Sequence, residues 1–407
     1  MPLSDYRTVL ATRPFRTLAV AMGVSDLGDG MSLVVIPLVA IGVAEGQDAA
    51  LVIGGAVAAY SLPGVLGVLL LGRWLRRLRA TTVLIADSAL RATMLAAVAA
   101  LWATGNLTPA GLIALCAASS VLHAWGSAGK FTLIADDLPH DRRITGNALV
   151  TSVQSLSIII GPSIAGLLAH VLSLAWLVAF DALTFTLLGF VALHRHRRQQ
   201  SPVPDKTAPG GWRAIRAQPA LLGLLAMTWV FYALYGPVNV ALPLHATGGN
   251  VEQAGLLGIY WTVFGIGAVV GSLGASLVRE NARRPAMLVI VAAWGLALLP
   301  FGLGLPTPAE IACFAIAGLV WGPFPAISLT VTQSLSPPGA VTSVLAARTA
   351  ILLTATPVGT ALGGPLTEAA KDPTRVLVGS GLATLALAAL VAGVVAVRRR
   401  SSGSILR

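Results

Sequence analysis

Long apolar runs, separated by short polar stretches, dominate the chain. Twelve of them lie at 16–43, 50–72, 80–104, 108–135, 144–171, 173–193, 218–246, 252–278, 284–304, 308–334, 340–366 and 374–397. A helix needs about 20 residues to cross a hydrocarbon core of about 30 Å, and each run reaches that length. The pattern predicts an all-α integral membrane protein with twelve transmembrane helices. One interruption is longer than the rest. Residues 194–212, HRHRRQQSPVPDKTAPGGW, are polar, basic and rich in Pro and Gly, which marks a linker. The expected organisation is an N-terminal six-helix half over 1–193, a cytoplasmic linker over 194–216 and a C-terminal six-helix half over 217–407.

The two halves echo one another. GVLLLGRWLRRLRATTVLI near 67–85 matches GSLGASLVRENARRPAMLVI near 271–290, and GPSIAGLL at 161–168 matches TPVGTALGGPL at 356–366. Cys116 and Cys313 occupy corresponding runs. A two-fold repeat of membrane helices, with pseudo-two-fold symmetry, is an architecture of secondary transporters whose site lies between the repeats. The alternative is that helices rich in Gly and Ala resemble one another by chance.

Composition removes several classes. Of the 407 residues 56% are hydrophobic and 11% charged, where a soluble domain carries about 25% charged. Mean hydropathy is +0.82. A soluble enzyme, a disordered chain and a nucleic-acid binder do not fit. The net charge of +11 would suggest nucleic acid on a soluble protein. On a membrane protein it reads as Lys and Arg that hold loops in the cytoplasm. Basic residues gather in alternate loops, from Arg7, Arg13 and Arg16 through Arg73, Arg76, Arg77 and Arg79 to Arg398, Arg399 and Arg400. The opposite loops hold Lys371 and Arg375 beside Glu45, Asp48, Glu252, Glu310, Glu368 and Asp372. Both termini are expected in the cytoplasm and the chain in the plasma membrane. Neither cysteine forms a CxxC motif, so no disulfide framework, metal site or cofactor is expected.

Charges inside lipid-depth runs are costly, which makes them functional candidates. They are Asp26, Asp29, Asp87, Arg91, Lys130, Asp181 and Arg348. Four negatives and three positives nearly cancel. Asp87 and Arg91 are four apart on one helix face and are expected to pair, as a tether between helices or as part of a site. Asp181 and Arg348 have the same two readings. Lys130 either snorkels to the cytoplasmic surface or meets substrate. Asp26 and Asp29 share a face, and two such carboxylates repel each other, which suits a proton-coupling site; the bland reading is hydrogen bonding or pairing with Arg91.

A polar stripe in the fourth run, with His123, Ser127 and Lys130 at helical spacing, reads as a cavity lining. His123 is either a proton shuttle or a hydrogen-bonded structural residue. The fifth run repeats the stripe with Asn147, Thr151, Gln154 and Ser155. Trp229, Phe231, Tyr232, Tyr235, Tyr260, Trp261 and Phe264 cluster in the seventh and eighth runs, with Asn239 beside them. Rings with a few polar tips suit an amphiphilic organic substrate, and an interfacial belt is the competing reading.

Several segments resemble the major facilitator superfamily, and within it the macrolide-efflux and enterobactin-export branch. SDLGDGMSLVVIPL is similar to that branch's opening helix, ADSALRA at 86–92 to its third-span element, and KFTLIADDLPHDRRITGNAL at 130–149 to its fourth-to-fifth loop. IGPSIAGLL and LVAFDALTF resemble its fifth- and sixth-span signatures. The resemblance implies a twelve-helix carrier working by alternating access, with Gly72, Arg76 and Arg77 in a cytoplasmic gating loop. That loop departs from the family pattern, because GRWLRR places Arg76 where an Asp belongs. Only Gly161 and Pro162 match the antiporter signature of the fifth span.

Together these features predict a monomeric secondary transporter in the lipid bilayer. It would export a small organic molecule such as a drug, siderophore or secondary metabolite, with protons as coupling ion. Uptake, lipid transport and a non-transporting membrane sensor are the alternatives. No G-x-x-x-x-G-K-[ST], HExxH or G-x-S-x-G motif is present, so neither ATP hydrolysis nor an intramembrane enzyme is expected.

Overall fold

The computed structural model describes residues 3–44, 49–64, 67, 78–139, 142–196, 211–274, 278–337 and 340–403. Among these residues the chain is helical without strands, as lipid requires of a backbone that must satisfy its own hydrogen bonds. Eleven helical stretches are long and apolar enough to cross a membrane, and a shorter apolar helix over Ala49–Gly64 stands at the second run. Large apolar side chains point outward along them: Trp176 is 69% exposed and Leu273 72%. Such exposure fits a surface solvated by lipid.

Among the described residues, four spans divide into two helices of ten residues or more each. The fourth consists of Pro109–Ser120 and His123–Asp137, the seventh of Pro219–Tyr235 and Val238–Thr247, the tenth of Thr307–Trp321 and Phe324–Leu335, and the eleventh of Val341–Leu352 and Ala355–Ala370. Gly236-Pro237 and Gly322-Pro323 explain two of the breaks, since proline removes a backbone donor and clashes with the preceding turn. The fourth and tenth spans occupy corresponding places in the two halves, and both open on the sequence Thr-Pro-Ala, at 108–110 and 307–309. Thr108 caps the fourth by accepting from the Gly111 amide at 3.1 Å.

The chain forms two compact units, one of Met1–Lys206 with Ala246–Ile259, the other of Thr207–His245 with Tyr260–Arg407. In the first, the first span (Arg13–Val43) packs on the fifth (Arg143–Leu168), and the third (Ala80–Ala103) on the sixth (Leu174–His196). Phe15, Leu18, Met22, Leu84, Leu133 and Leu188 form its apolar core. In the second unit, the seventh span packs on the eleventh, and the ninth (Arg283–Leu298) on the twelfth (Pro373–Gly403). The same device sets both first pairings. A Cβ on Gly30 would lie 2.2 Å from the Ser157 carbonyl oxygen of the fifth span, and one on Gly236 would lie 2.3 Å from the Gly359 carbonyl carbon of the eleventh. Only glycine allows backbones so close.

Candidate functional site

The first unit gathers its charges around the first span. Arg91, 1% exposed, reaches from the third span to Asp29, with Nη1 at 2.6 Å from Oδ1. The same oxygen accepts from the Tyr60 hydroxyl at 2.8 Å. The guanidinium lies over the rings of Tyr60 and Phe185, at 5.0 and 4.6 Å. Lys130 is also buried, and its Nζ meets Asp26 Oδ1 at 3.0 Å. It does not snorkel to the surface. The expected pairing of Asp87 with Arg91 is not found. Helical spacing brings the two to one face, but the arginine extends across to the first span, and Asp87 Oδ1 is buried without a hydrogen-bond partner.

Asp181 of the sixth span is fully buried and has no cation of its own among the described residues. Its Oδ2 receives the Ser32 hydroxyl at 2.5 Å and lies 3.3 Å from the Tyr60 oxygen; Thr184 Oγ1 is 3.3 Å from Oδ1. Glycines make room for both uncompensated carboxyls. A Cβ on Gly28 would sit 2.3 Å from Asp181 Oδ1, and one on Gly126 would sit 1.9 Å from Asp87 Oδ2.

This changes the charge balance read from the sequence. Within the first unit Asp26, Asp29, Asp87 and Asp181 face Arg91 and Lys130, and Arg348 belongs to the other unit. Four carboxyls share two cations. Two ionised carboxylates left over in a low-dielectric interior would cost several kcal/mol each, so protons are the natural counter-charge. The phenol of Tyr60 has a single hydrogen and two carboxyls beside it, so it cannot donate to both at once. A proton on Asp181, given to the Tyr60 oxygen, completes a chain that ends on Asp29. Tyr60 is the candidate residue that sequence reasoning passed over. It is a single tyrosine in an apolar run, and only its contacts across helices distinguish it.

His123 and Ser127 are half-buried in the C-terminal half of the fourth span, two turns and one turn from Lys130. Gln154 is half-buried in the fifth span, and Asn147 has a buried Oδ1 without a partner. Ser155 bonds back to the Thr151 carbonyl and adds nothing to a cavity. Gly72, Arg76 and Arg77 lie outside the described residues. At the C-terminal ends of the fourth and sixth spans, Arg195 bonds Asp137, and burial nonetheless pushes the Asp137 carboxyl up.

The aromatic residues of the second unit join into one packed series. Tyr232 and Tyr235 lie 5.5 and 5.1 Å from Trp321, which lies 5.1 Å from Trp294; Trp294 continues to Phe264 and Phe314. Trp294, Phe314, Trp321 and Phe324 come from the ninth and tenth spans, which the sequence clustering did not include. Trp229 stands apart, bonded to Thr354 Oγ1 at 2.8 Å. Asn239 donates to Thr360 Oγ1 at 3.4 Å.

Tyr260 is fully buried and is not a cavity lining. Its hydroxyl meets Glu310 Oε2 at 2.7 Å, and His245 Nε2 meets the same oxygen at 2.9 Å. Glu310, read from the sequence as a loop residue, is 6% exposed in the first turn of the tenth span. Arg348 of the eleventh span has no described carboxylate partner. Its Nη2 donates to Ser328 Oγ at 3.1 Å, and its Nε is buried without a partner.

A sequence profile of the Major Facilitator Superfamily matches residues 18–363. The chain belongs to that superfamily. It is a multi-pass membrane transporter and not an enzyme. The chain is 27% identical over 397 residues to the multidrug efflux pump Tap of Mycobacterium tuberculosis, covering 91% of this chain and 90% of that one. Tap of Mycolicibacterium fortuitum is 29% identical over 265 residues, a match spanning 62% of each protein. Among solved structures, a bacterial homologue of the iron transporter ferroportin in an inward-facing state aligns with a TM-score of 0.69 at 14% identity, over 92% of this chain and 98% of that one. The nucleoside transporter NupG aligns with a TM-score of 0.67 at 15% identity, over 92% and 97%. These likenesses are in fold, the twelve-span helical fold of the superfamily.

Proposed function

We propose that the chain is a proton-coupled exporter of small amphiphilic organic molecules, working as a monomer in the plasma membrane by alternating access with both termini in the cytoplasm. Export is favoured by the multidrug efflux pumps among its relatives. Coupling rests on one observation, the Tyr60 hydroxyl placed between Asp29 and Asp181. A proton held at Asp181 passes through Tyr60 to Asp29. Neutral Asp29 no longer holds Arg91, and the freed guanidinium releases the third span from the first. Asp26 and Lys130 tune the same cluster from one turn away. Within the first unit His123 and Ser127, and within the second Tyr232, Tyr235 and Trp321, are the candidate substrate contacts, each on or beside a broken span.

The test uses everted membrane vesicles with an acidic interior and neutral pyrenebutyramide as probe. The wild type should accumulate the dye inside. Asp29→Asn and Asp181→Asn keep the shape but fix the neutral state, so both should lose accumulation and retain exchange at equal pH. Asp26→Asn should be milder. Continued accumulation by Asp29→Asn or Asp181→Asn would show that the proton moves elsewhere, and a wild type that never accumulates the dye would remove the export reading.

A further inference from the structure

Arg348 stands about 10 Å along the first helix of the eleventh span, counting from Val341 at about 1.5 Å per residue. Its bond to Ser328 ties it to the tenth span one turn beyond Phe324. Phe324 lies 5.9 Å from Tyr232, and Arg348 and Tyr232 are close enough to interact electrostatically. The guanidinium therefore borders the aromatic series at its tyrosine end.

Two donors of this region lack an acceptor. Arg348 Nε is buried without an acceptor, and so is the indole Nε1 of Trp294, a fully buried ring packed on Tyr235 and Trp321. The nearest buried acid on these spans, Glu310, is about 27 Å away along the tenth span from Ser328 and is already held by His245 and Tyr260. A half-buried guanidinium with no counter-charge and an unpartnered buried Nε is costly, and so is an indole donor without an acceptor. Both costs fall if a ligand brings the missing acceptors.

We infer that Arg348 and the aromatic series form the charge-reading part of the substrate site, selecting aromatic amphiphiles that carry a carboxylate or an equivalent anionic group. The rings hold the apolar body of the ligand. The guanidinium receives the anion through paired N–H donors, a geometry for which arginine is suited and lysine less so. Ser328 is a positioning residue that holds the guanidinium in place. The inference rests on the exporter reading and narrows its substrate class.

Binding of pyrenebutyrate, pyrenebutyramide and pyrenebutylamine to the purified full chain reports on this directly, through energy transfer from tryptophan to pyrene. The butyrate should bind about ten-fold or more tightly than the amine. Arg348→Gln should remove most of that preference by weakening the butyrate, with a much smaller effect on the amide. Ser328→Ala should keep most of the preference, whereas a purely structural tether would make it resemble Arg348→Gln. Equal affinities of butyrate and amine in the wild type would overturn the anion site, as would Arg348→Gln weakening all three dyes alike. Either result leaves amide export in vesicles untouched, so failure of this site is separable from failure of the exporter reading. Should Arg348→Gln not fold, Arg348→Lys provides the same comparison, with a partial loss expected for the butyrate alone.

Discussion

In the first unit four carboxyls share two cations, whereas in the second a guanidinium at membrane depth is tied to a serine with no described acid beside it. Both arrangements leave charge uncompensated, and the chemistry that relieves them differs. Surplus carboxyls are neutralised by protons, which are available from either side of the membrane. A surplus guanidinium cannot shed its proton in a protein and needs an anion from outside the chain. The two halves share a helical plan and the same glycine contacts, yet in the proposed function one binds protons and the other a ligand.

The strongest way to break this contrast is to remove each arginine. Arg91→Met strips Asp29 of its cation and should destabilise the protein by about 3–5 kcal/mol, while Arg348→Met abandons no carboxylate and should cost under about 1 kcal/mol. Thermal unfolding in detergent compares them. Equal losses would mean that Arg348 has a partner after all. Adding Asp29→Asn to Arg91→Met should restore much of the loss.

Glu310 sharpens the same contrast, because it is the second unit's compensated acid. Glu310→Ala strands both the Tyr260 hydroxyl and His245, a loss of about 2–3 kcal/mol by the same measurement, and Glu310→Gln should recover more than half of it. A neutral result for Glu310→Ala would mean that water already serves these groups.

The glycine contacts test what the units have in common. Gly30→Ala and Gly236→Ala each press a methyl into the facing backbone and should cost about 1–3 kcal/mol, to similar extents. A large difference would show that the two helix pairs are not equivalent.

The smallest effect concerns a loop. The Thr374 hydroxyl and amide hold the Asp372 carboxyl below the ordinary carboxylate range. A depressed value contributes stability above the unfolded value of about 4 and loses it as pH falls through the folded one. Asp372→Asn should thus lower the melting temperature slightly at neutral pH, and the gap to the wild type should close in acid. A gap independent of pH would assign the effect to the side chain's shape.

The run of apolar residues by itself determined the helices, because lipid leaves a long apolar segment few alternatives to helix, and the resemblance of particular segments pointed to the superfamily. Intramembrane charges were equally plain, since each stands out against an apolar background. Breaks within four spans were less legible. Gly-Pro pairs at 236–237 and 322–323 announce two of them, but an unbroken apolar run conceals a kink at Val121 and Leu122 as easily as a straight helix. Partners were left open by the sequence, which offered Arg91 both Asp87 and the first-span carboxylates. Spacing along a helix says which residues share a face, so it brought Asp87 and Arg91 together. Which neighbour a long side chain reaches depends on how each helix is rotated and tilted against the next, and packing sets that. Only the tertiary structure could turn Arg91 from Asp87 to Asp29, set Tyr60 between two carboxyls, and join Trp294 and Trp321 to tyrosines some sixty to ninety positions earlier in the chain.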